Sequence, residues 1–288
     1  MSASTSTLHS SPRAAFVPIR QRSTVRGALT DTWVITQRNL LRNLRLPQLL
    51  VFATIQPVMF LLLFNYVFGG AIEQSLPPGF ASYTNFLLPG LLVQIAAFGA
   101  SQTALGLTED LSKGVIDRFR ALPMSRAAVL TGRTLADLIR NAAVLSLMLV
   151  VGFLIGFRYE TSLLGFLAGF GVALLFAFAL SWVMATIGLY VRNPEAAQSA
   201  SFLPVFPLVF ASSVFTPTQT MPDWLRVFAD NQPVTIVANA IRGLMFGVET
   251  LPPGQTVGGE VAAALLWLGG IIAIFSVLAV RTYRRAGS

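Results

Sequence analysis

Long apolar runs without Asp, Glu, Lys, Arg or His limit most strongly how this chain can fold. A helix needs about 20 residues to cross a hydrocarbon core ~30 Å thick. Within that core, only a helix satisfies every backbone N–H and C=O inside one segment. Only 11% of the 288 residues are charged, against about 25% in a typical soluble domain. The sequence therefore predicts an all-α, polytopic membrane protein with six spans: 47–68, 86–107, 141–157, 163–190, 196–216 and 261–280.

The third run is shorter than the others, so we expect that span to begin near residue 138. A single transmembrane domain is predicted over residues 28–285, with 286–288 as the end of a tail. Residues 1–27 are rich in Ser, Thr, Arg and Pro, which is typical of a disordered segment. The first apolar run begins well behind this basic leader, so we expect no cleavable signal peptide.

Residues 28–45 follow a helical pattern of apolar residues and arginines. Leucines and Trp33 can share one face, and the arginines recur at spacings of four and three. This pattern favours an amphipathic helix at the membrane surface, with its cations toward anionic headgroups. A solvated juxtamembrane segment is the alternative. The residues assigned to the interfacial helix are Trp33, Arg38, Arg42 and Arg45.

The distribution of cations predicts the orientation. The chain has 20 Lys and Arg residues, and with both termini inside only Arg158, Arg226 and Arg242 fall in external segments. Cytoplasmic loops of membrane proteins carry an excess of Lys and Arg. Both termini and the segment 108–140 are therefore predicted to be cytoplasmic.

The segment 217–260 lies outside in this topology and contains an apolar stretch that is too short to span. We predict two short helices at the outer face, 222–229 and 234–246, which can re-enter the membrane if other parts of the protein shield their ends. Trp224 suits a membrane–water interface, and a polar contact between Arg242 and Glu249 is expected.

Residues 108–123 form a short charged insert between two apolar runs. Thr108 is expected to cap a helix, and Pro123 to end it. Apolar residues, including Phe119, then recur on one face, and charged residues lie around the rest. Such a helix can dock on a cytosolic protein with the aromatic side chain as anchor, or it can lie solvated against the headgroups. The residues leave both alternatives open.

Several kinds of chemistry are not expected in this chain. It has no cysteine, and its single histidine, His9, lies in the tail without a neighbour suited to metal binding. The only lysine, Lys113, is followed by glycine, so no Walker A sequence is present. The runs hold no ionisable side chain for ion-coupled transport, and no catalytic residue is predicted. A secondary carrier, a channel or a membrane-embedded hydrolase is therefore disfavoured, and the net charge of +8 is explained by topology rather than by nucleic acid.

Four motifs resemble the type-2 ABC exporter permeases, in particular the membrane subunits of the daunorubicin/doxorubicin-resistance type. The resemblance covers about residues 28–285. The motifs are "YTNFLLPGLLVQ" (83–94), "EDLSKGVIDRFRALPMSRAAVLTGR" (109–133), "RNPEAA" (192–197) and "MPDWLRVFADNQPVTIVANAIRGLMFG" (221–247).

The resemblance implies a role for two of these segments. The insert is the coupling helix that contacts an ATP-binding subunit, and the external segment closes the exit path. The coupling residues are Glu109, Asp110, Lys113, Gly114, Asp117, Arg118, Phe119, Arg120 and Pro123. The outer-gate residues are Pro222, Trp224, Asn231, Pro233 and Arg242.

The resemblance also implies the partners. Two cytosolic subunits bind ATP and Mg²⁺, so this chain itself has no cofactor. A second permease, identical or paralogous, completes the pore in the cell membrane of a bacterium, in contact with lipids. The implied cargo is an amphiphilic drug or antibiotic, and a lipid, glycolipid or polysaccharide is the alternative.

Overall fold

The computed structural model describes residues 25–44, 47–116, 118, 126–191 and 193–285. Within these ranges every regular element is a helix, which confirms the predicted all-α class. The helices are α1 (Val25–Leu44), α2 (Pro47–Leu63), α3 (Gly69–Glu73), α4 (Tyr83–Ser112), α5 (Arg126–Leu154), α6 (Leu163–Val191), α7 (Pro194–Phe210), α8 (Asp223–Asn231), α9 (Pro233–Phe246) and α10 (Val257–Arg285). A π-helical turn, Phe64–Phe68, joins α2 to α3.

Five of the described helical segments are long and apolar enough to cross a membrane. They are Thr54–Glu73, Tyr83–Ser112, Ala127–Leu154, Leu163–Val191 and Val257–Tyr283. They correspond to the first four predicted spans and the sixth, so a multi-pass membrane protein is confirmed.

The predicted fifth span, 196–216, is shorter in the structure. Helix α7 has 17 residues and ends at Phe210, so it is about 25 Å long at 1.5 Å per residue. The predicted end at residue 216 is therefore wrong. The reason is that the backbone N–H groups of Ser213 and Val214, which would continue the helix, donate to the Thr235 and Ser212 hydroxyls instead.

Helices α4 and α6 form the centre of the fold. Most residues of α4 are buried, and α6 packs along it while also contacting α9 and α10. A Cβ atom at Gly188 of α6 would lie 2.7 Å from the carbonyl oxygen of Ala104 in α4. A glycine here therefore lets the two backbones approach closely, as is common between membrane helices.

Helix α4 extends further than the sequence suggested. It continues without a break through Thr108, whose hydroxyl donates a hydrogen bond to the carbonyl of Ala104. Thr108 therefore does not cap a helix, and that prediction was wrong because no residue near it stops the preceding helix. The helix ends at Ser112, and Gly114 follows in the left-handed region at φ 65°.

Helix α1 packs against α5 through a small-residue contact. A Cβ atom at Gly132 would lie 2.8 Å from both Ile35 Cβ and the Thr32 carbonyl oxygen. The Thr36 hydroxyl donates to the Gly132 carbonyl at 3.2 Å.

Helix α1 begins at Val25, three positions before the predicted domain start. The predicted tail residues 1–24 and 286–288 lie outside the described residues.

Candidate functional site

Two arginines meet a buried aspartate at the Ser112 end of α4. Asp110 is only 6% exposed. Its Oδ1 lies 3.8 Å from Nη2 of Arg38 in α1, and its Oδ2 lies 3.9 Å from Nη1 of Arg133 in α5. One carboxylate therefore connects three helices.

A second aspartate continues these contacts inside α5. Asp137, which is 2% exposed, accepts a hydrogen bond from Arg133 Nε at 3.2 Å and one from the Thr103 hydroxyl at 2.7 Å. We refer to Arg38, Thr103, Asp110, Arg133 and Asp137 as the ion-pair network. Buried charges are tolerated when paired in this way, and removing one partner typically costs about 3–5 kcal/mol.

A glycine makes room for the ion-pair network. A Cβ atom at Gly106 of α4 would lie 1.7 Å from Nη2 of Arg133, so any larger residue displaces the guanidinium. The same Nη2 donates to the Gln102 carbonyl at 3.3 Å. Arg133 thus crosses α4 at Gly106 to reach both aspartates.

The predicted coupling residues have different surroundings. Lys113 and Arg118 are exposed, and Lys113 pairs with Glu109 at 3.3 Å. Asp110, in contrast, points into the protein. Four residues of the predicted set lie outside the described residues: Asp117, Phe119, Arg120 and Pro123.

The predicted interfacial residues belong to α1. Trp33 and Leu29 are more than half exposed, and Leu41 is 49% exposed. Arg38 faces the ion-pair network. Arg45 and the side chain of Arg42 lie outside the described residues.

The other end of α4 is held by a fully buried arginine. Arg242 of α9 is 1% exposed. Its Nε and Nη2 donate to the Phe86 carbonyl at 3.2 and 3.0 Å. Nη2 also donates to the Ser213 carbonyl at 2.7 Å, and Nη1 to the Ser213 hydroxyl at 2.9 Å. We refer to Arg242, Phe86, Ser213 and Val214 as the Arg242 cluster.

The Arg242 guanidinium keeps its charge in this apolar setting. Its Cζ lies 3.8 Å from the centre of the Phe86 ring, a favourable cation–π distance. The hydrogen bonds to the Phe86 and Ser213 carbonyls and to the Ser213 hydroxyl stabilise the charged guanidinium in place of water. The predicted contact between Arg242 and Glu249 is wrong. Arg242 donates instead to the Phe86 carbonyl in α4 and to the Ser213 carbonyl after α7, and Glu249 is exposed.

The remaining outer-gate residues lie on or beside α8 and α9. Trp224 is 76% exposed, Pro222 precedes α8, and Pro233 is the first residue of α9. The Asn231 side chain donates to the Val227 carbonyl at 2.8 Å. Gln232, which sequence reasoning missed, donates to the carbonyls of Leu208 and Ala211 at 2.7 and 2.8 Å, and so ties α9 to the end of α7.

Comparison with known proteins identifies the family. Residues 30–246 match the family model described as ABC-2 type transporter. The chain belongs to the ABC-2 type transporter family.

Its relatives in this family carry related names. The daunorubicin resistance ABC transporter permease protein DrrB1 of Streptomyces coeruleorubidus is 34% identical over 260 residues, which cover 90% of this chain and 87% of the relative. The probable doxorubicin resistance ABC transporter permease protein DrrC of Mycobacterium tuberculosis is 26% identical, with 90% of each chain covered. The putative transport permease ycf38 of Cyanophora paradoxa is 23% identical, covering 75% and 74%.

Within this ABC-2 transporter chain, the structure adds residues that the sequence motifs did not single out. Arg133 ends the second resembling motif and Asp137 follows it at a spacing of four, which is the one local signal of their pairing. Nothing local marks Thr103 or Gly106 as their neighbours, because these residues are about thirty positions away in the chain.

Proposed function

We propose that this chain is the membrane-spanning permease subunit of an exporter driven by ATP, which a separate cytosolic subunit binds and hydrolyses. The observation that carries the proposal is the path of α4. This helix is 30 residues long, about 45 Å at 1.5 Å per residue, and runs unbroken from the Arg242 cluster to the ion-pair network. A continuous helix transmits a displacement at one end to the other.

In the proposed topology, α7 is a sixth span, and both termini and the Ser112 end of α4 are cytoplasmic. Helix α1 lies on the inner membrane surface with Leu29, Trp33 and Leu41 toward lipid. Helices α8 and α9 lie on the outer side, where α9 re-enters the membrane and closes the exit path. The membrane is the cell membrane of a bacterium.

In the proposed mechanism, the turn after α4 contacts the ATP-binding subunit, and we call this turn the motor contact. It includes Lys113, Gly114 and Arg118, together with Asp117, Phe119, Arg120 and Pro123. Two such subunits hold ATP and Mg²⁺, and two permease subunits, identical or paralogous, form the pathway. ATP shifts the equilibrium between the two conformations of the transporter, because it binds one conformation of the ATP-binding subunits more tightly than the other. The ion-pair network then transmits this conformational change to α1, α4 and α5.

The proposed cargo is an amphiphilic, drug-like molecule. Support comes from the two relatives named for daunorubicin and doxorubicin resistance, and from the apolar surface of the spans. Export of a lipid, glycolipid or polysaccharide by the same machinery is the competing outcome.

A reconstituted transport assay tests the proposal. The chain is incorporated into liposomes with the ATP-binding-cassette subunit from its own gene cluster, and doxorubicin is followed by its fluorescence. We expect uphill movement that needs ATP and stops when the Walker A lysine of that subunit is replaced. Uphill transport by the chain alone would overturn the proposal. ATP-driven movement of labelled lipid without movement of doxorubicin would favour the lipid exporter.

Cysteine labelling tests the proposed orientation. The chain has no cysteine, so no background needs to be removed. Ser112→Cys and Gln219→Cys place single thiols at exposed positions that the topology assigns to opposite sides. In intact cells, a membrane-impermeant maleimide should label the Gln219→Cys variant and should not label the Ser112→Cys variant. The reverse pattern would invert the topology.

A further inference from the structure

A partly polar cavity lies between α2, α4, α5 and α7. Its volume is about 160 Å³, and its wall combines aromatic rings with amide side chains and Arg140. Drug-sized ligand sites have volumes of about 300–1,000 Å³. The cavity therefore suits one polar portion of a larger molecule rather than the whole of it.

Three polar atoms of the cavity wall are buried without a partner: Gln94 Oε1, Arg140 Nε and Asn141 Nδ2. Gln94 is 5% exposed and Asn141 2% exposed. Buried polar groups are nearly always hydrogen-bonded, so three unpartnered ones around one cavity indicate an occupant with matching groups. Together they offer two kinds of N–H donor and one acceptor.

The Arg140 guanidinium is fixed but not neutralised. Its Nη2 donates to the carbonyl of Gly99 at 2.7 Å. Asp137, which lies one turn earlier in α5, is occupied by Arg133 and Thr103. Among the described residues no carboxylate oxygen lies within 4 Å of Arg140. Its guanidinium therefore offers N–H donors to the cavity, which favours an acceptor-rich or anionic group.

Gly99 keeps the cavity open beside these groups. A Cβ atom at this position would lie 2.0 Å from the Asn141 side-chain oxygen. Any larger residue would push Asn141 out of place.

An aromatic row leads away from the cavity along α7. The Phe98 and Phe202 rings, both at the cavity wall, are 5.0 Å apart. Phe202 is followed by Phe206 at 6.5 Å, and Phe206 by Phe210 at 4.3 Å. The three α7 rings are exposed. A molecule whose polar end fills the cavity can therefore lay its apolar part on these rings.

We propose that this cavity is a recognition site for the polar end of the exported amphiphile. The N–H donors of Arg140 and Asn141 hold a carboxylate or phosphate as the favoured group, and Gln94 Oε1 accepts from a hydroxyl or N–H group beside it. The inference rests on the proposed exporter function. It deepens that function by naming the polar group that the cavity binds most tightly: an anionic group is preferred, and uncharged acceptors, such as the carbonyl and hydroxyl oxygens of doxorubicin, are bound by the same donors more weakly.

A binding assay on the full chain tests the site in the absence of the ATP-binding subunit. The chain is placed in phosphatidylcholine nanodiscs, and 12-(9-anthroyloxy)stearate and its methyl ester are titrated by fluorescence anisotropy against empty nanodiscs. We expect saturable binding that is tighter for the carboxylate than for the ester. Arg140→Gln should weaken binding of the carboxylate about tenfold or more, as expected when a hydrogen bond to a charged group is lost, and leave the ester unchanged.

Further variants separate recognition from misfolding. Asn141→Leu removes an unpartnered donor at nearly constant side-chain size, so the chain should fold, and it should weaken binding of both probes, whose oxygens accept from that donor. Arg226→Gln removes an exposed arginine on α8, far along the chain, and should change neither affinity. A loss of both probes by Arg140→Gln together with normal binding by Asn141→Leu would overturn the proposal, since it indicates a structural effect alone.

A competition experiment shows whether the cavity binds the polar group of a cargo molecule or of a bilayer lipid. Displacement of the carboxylate probe by phosphatidylglycerol at ordinary membrane fractions would assign the cavity to a bilayer lipid and overturn the cargo assignment. Equal binding of carboxylate and ester would overturn the charge selectivity. Normal probe binding by a chain that shows no ATP-dependent transport would contradict the proposed function and leave the recognition site standing.

Discussion

Arginines hold both ends of α4, but their partners differ. At the Ser112 end, Arg133 lies between the carboxylates of Asp110 and Asp137, which belong to α4 and α5. At the Tyr83 end, Arg242 bonds to the carbonyls of Phe86 and Ser213. A carboxylate has several acceptor positions, whereas a backbone carbonyl is fixed by the fold.

This difference indicates different mechanical roles. An arginine between two carboxylates can exchange partners while it stays paired, so the ion-pair network tolerates two arrangements of α1, α4 and α5. Arg242 holds the turn after α7 in one conformation, because its partners move only if the backbone moves. We therefore expect the Arg242 cluster to act as a fixed anchor and the ion-pair network to be the part that adjusts.

The largest effect is expected from Arg242→Leu. The substitution removes the side-chain donors from the Phe86 carbonyl and from the buried Ser213 carbonyl, and an unsatisfied buried group costs about 1–3 kcal/mol. The protein should lose most of its folded yield, measured by fluorescence size-exclusion chromatography and thermal unfolding in detergent. Arg226→Leu on exposed α8 is the matched control and should behave as the unmodified chain.

Asp137→Asn should destabilise the ion-pair network by about 3 kcal/mol, because Arg133 loses a buried charged partner. The double variant Arg133→Gln, Asp137→Asn should recover part of that loss. A double-mutant cycle of unfolding free energies measures the coupling, expected at about 1–3 kcal/mol. Strict additivity of the two single changes would show that the pair is not coupled.

A smaller effect is expected from Gly106→Ala. The added Cβ takes the place of the Arg133 guanidinium, whose flexible end can shift at a cost of about 1–2 kcal/mol. Gly171→Ala in α6 is the control, since no atom lies within 4 Å of its added Cβ. Alanine is favoured over glycine in a helix by about 1 kcal/mol, so the control should be neutral or stabilising in the same unfolding measurement.

Much of the helical framework could be predicted from the sequence because uncharged apolar runs report directly on bilayer-spanning helices. The short helices α8 and α9 were also expected within a few residues. The end of α7 was not, since the Ser213 N–H bonds to the side chain of Thr235, which lies about twenty positions later in the chain.

The candidate site was predictable only in part. The motif 109–133 marked the turn after α4, but it did not distinguish inward from outward side chains. Asp110 is buried and Lys113 is exposed because α4 continues as a helix past Thr108. The unpartnered atoms of Gln94, Arg140 and Asn141 come from two helices, and no local pattern brings such residues together.

The smallest effect on stability is expected from Lys113→Ala. Its ion pair with Glu109 is solvent-exposed, and such pairs contribute about 0.3–0.5 kcal/mol when they lie four residues apart on a helix. The unfolding midpoint should barely change. If the exposed turn is the motor contact, however, ATP-dependent transport should fall severalfold, and Lys113→Arg should restore part of it because the positive charge is kept. Unchanged transport by the alanine variant would place the motor contact elsewhere, and would leave the contrast between the ion-pair network and the Arg242 cluster intact.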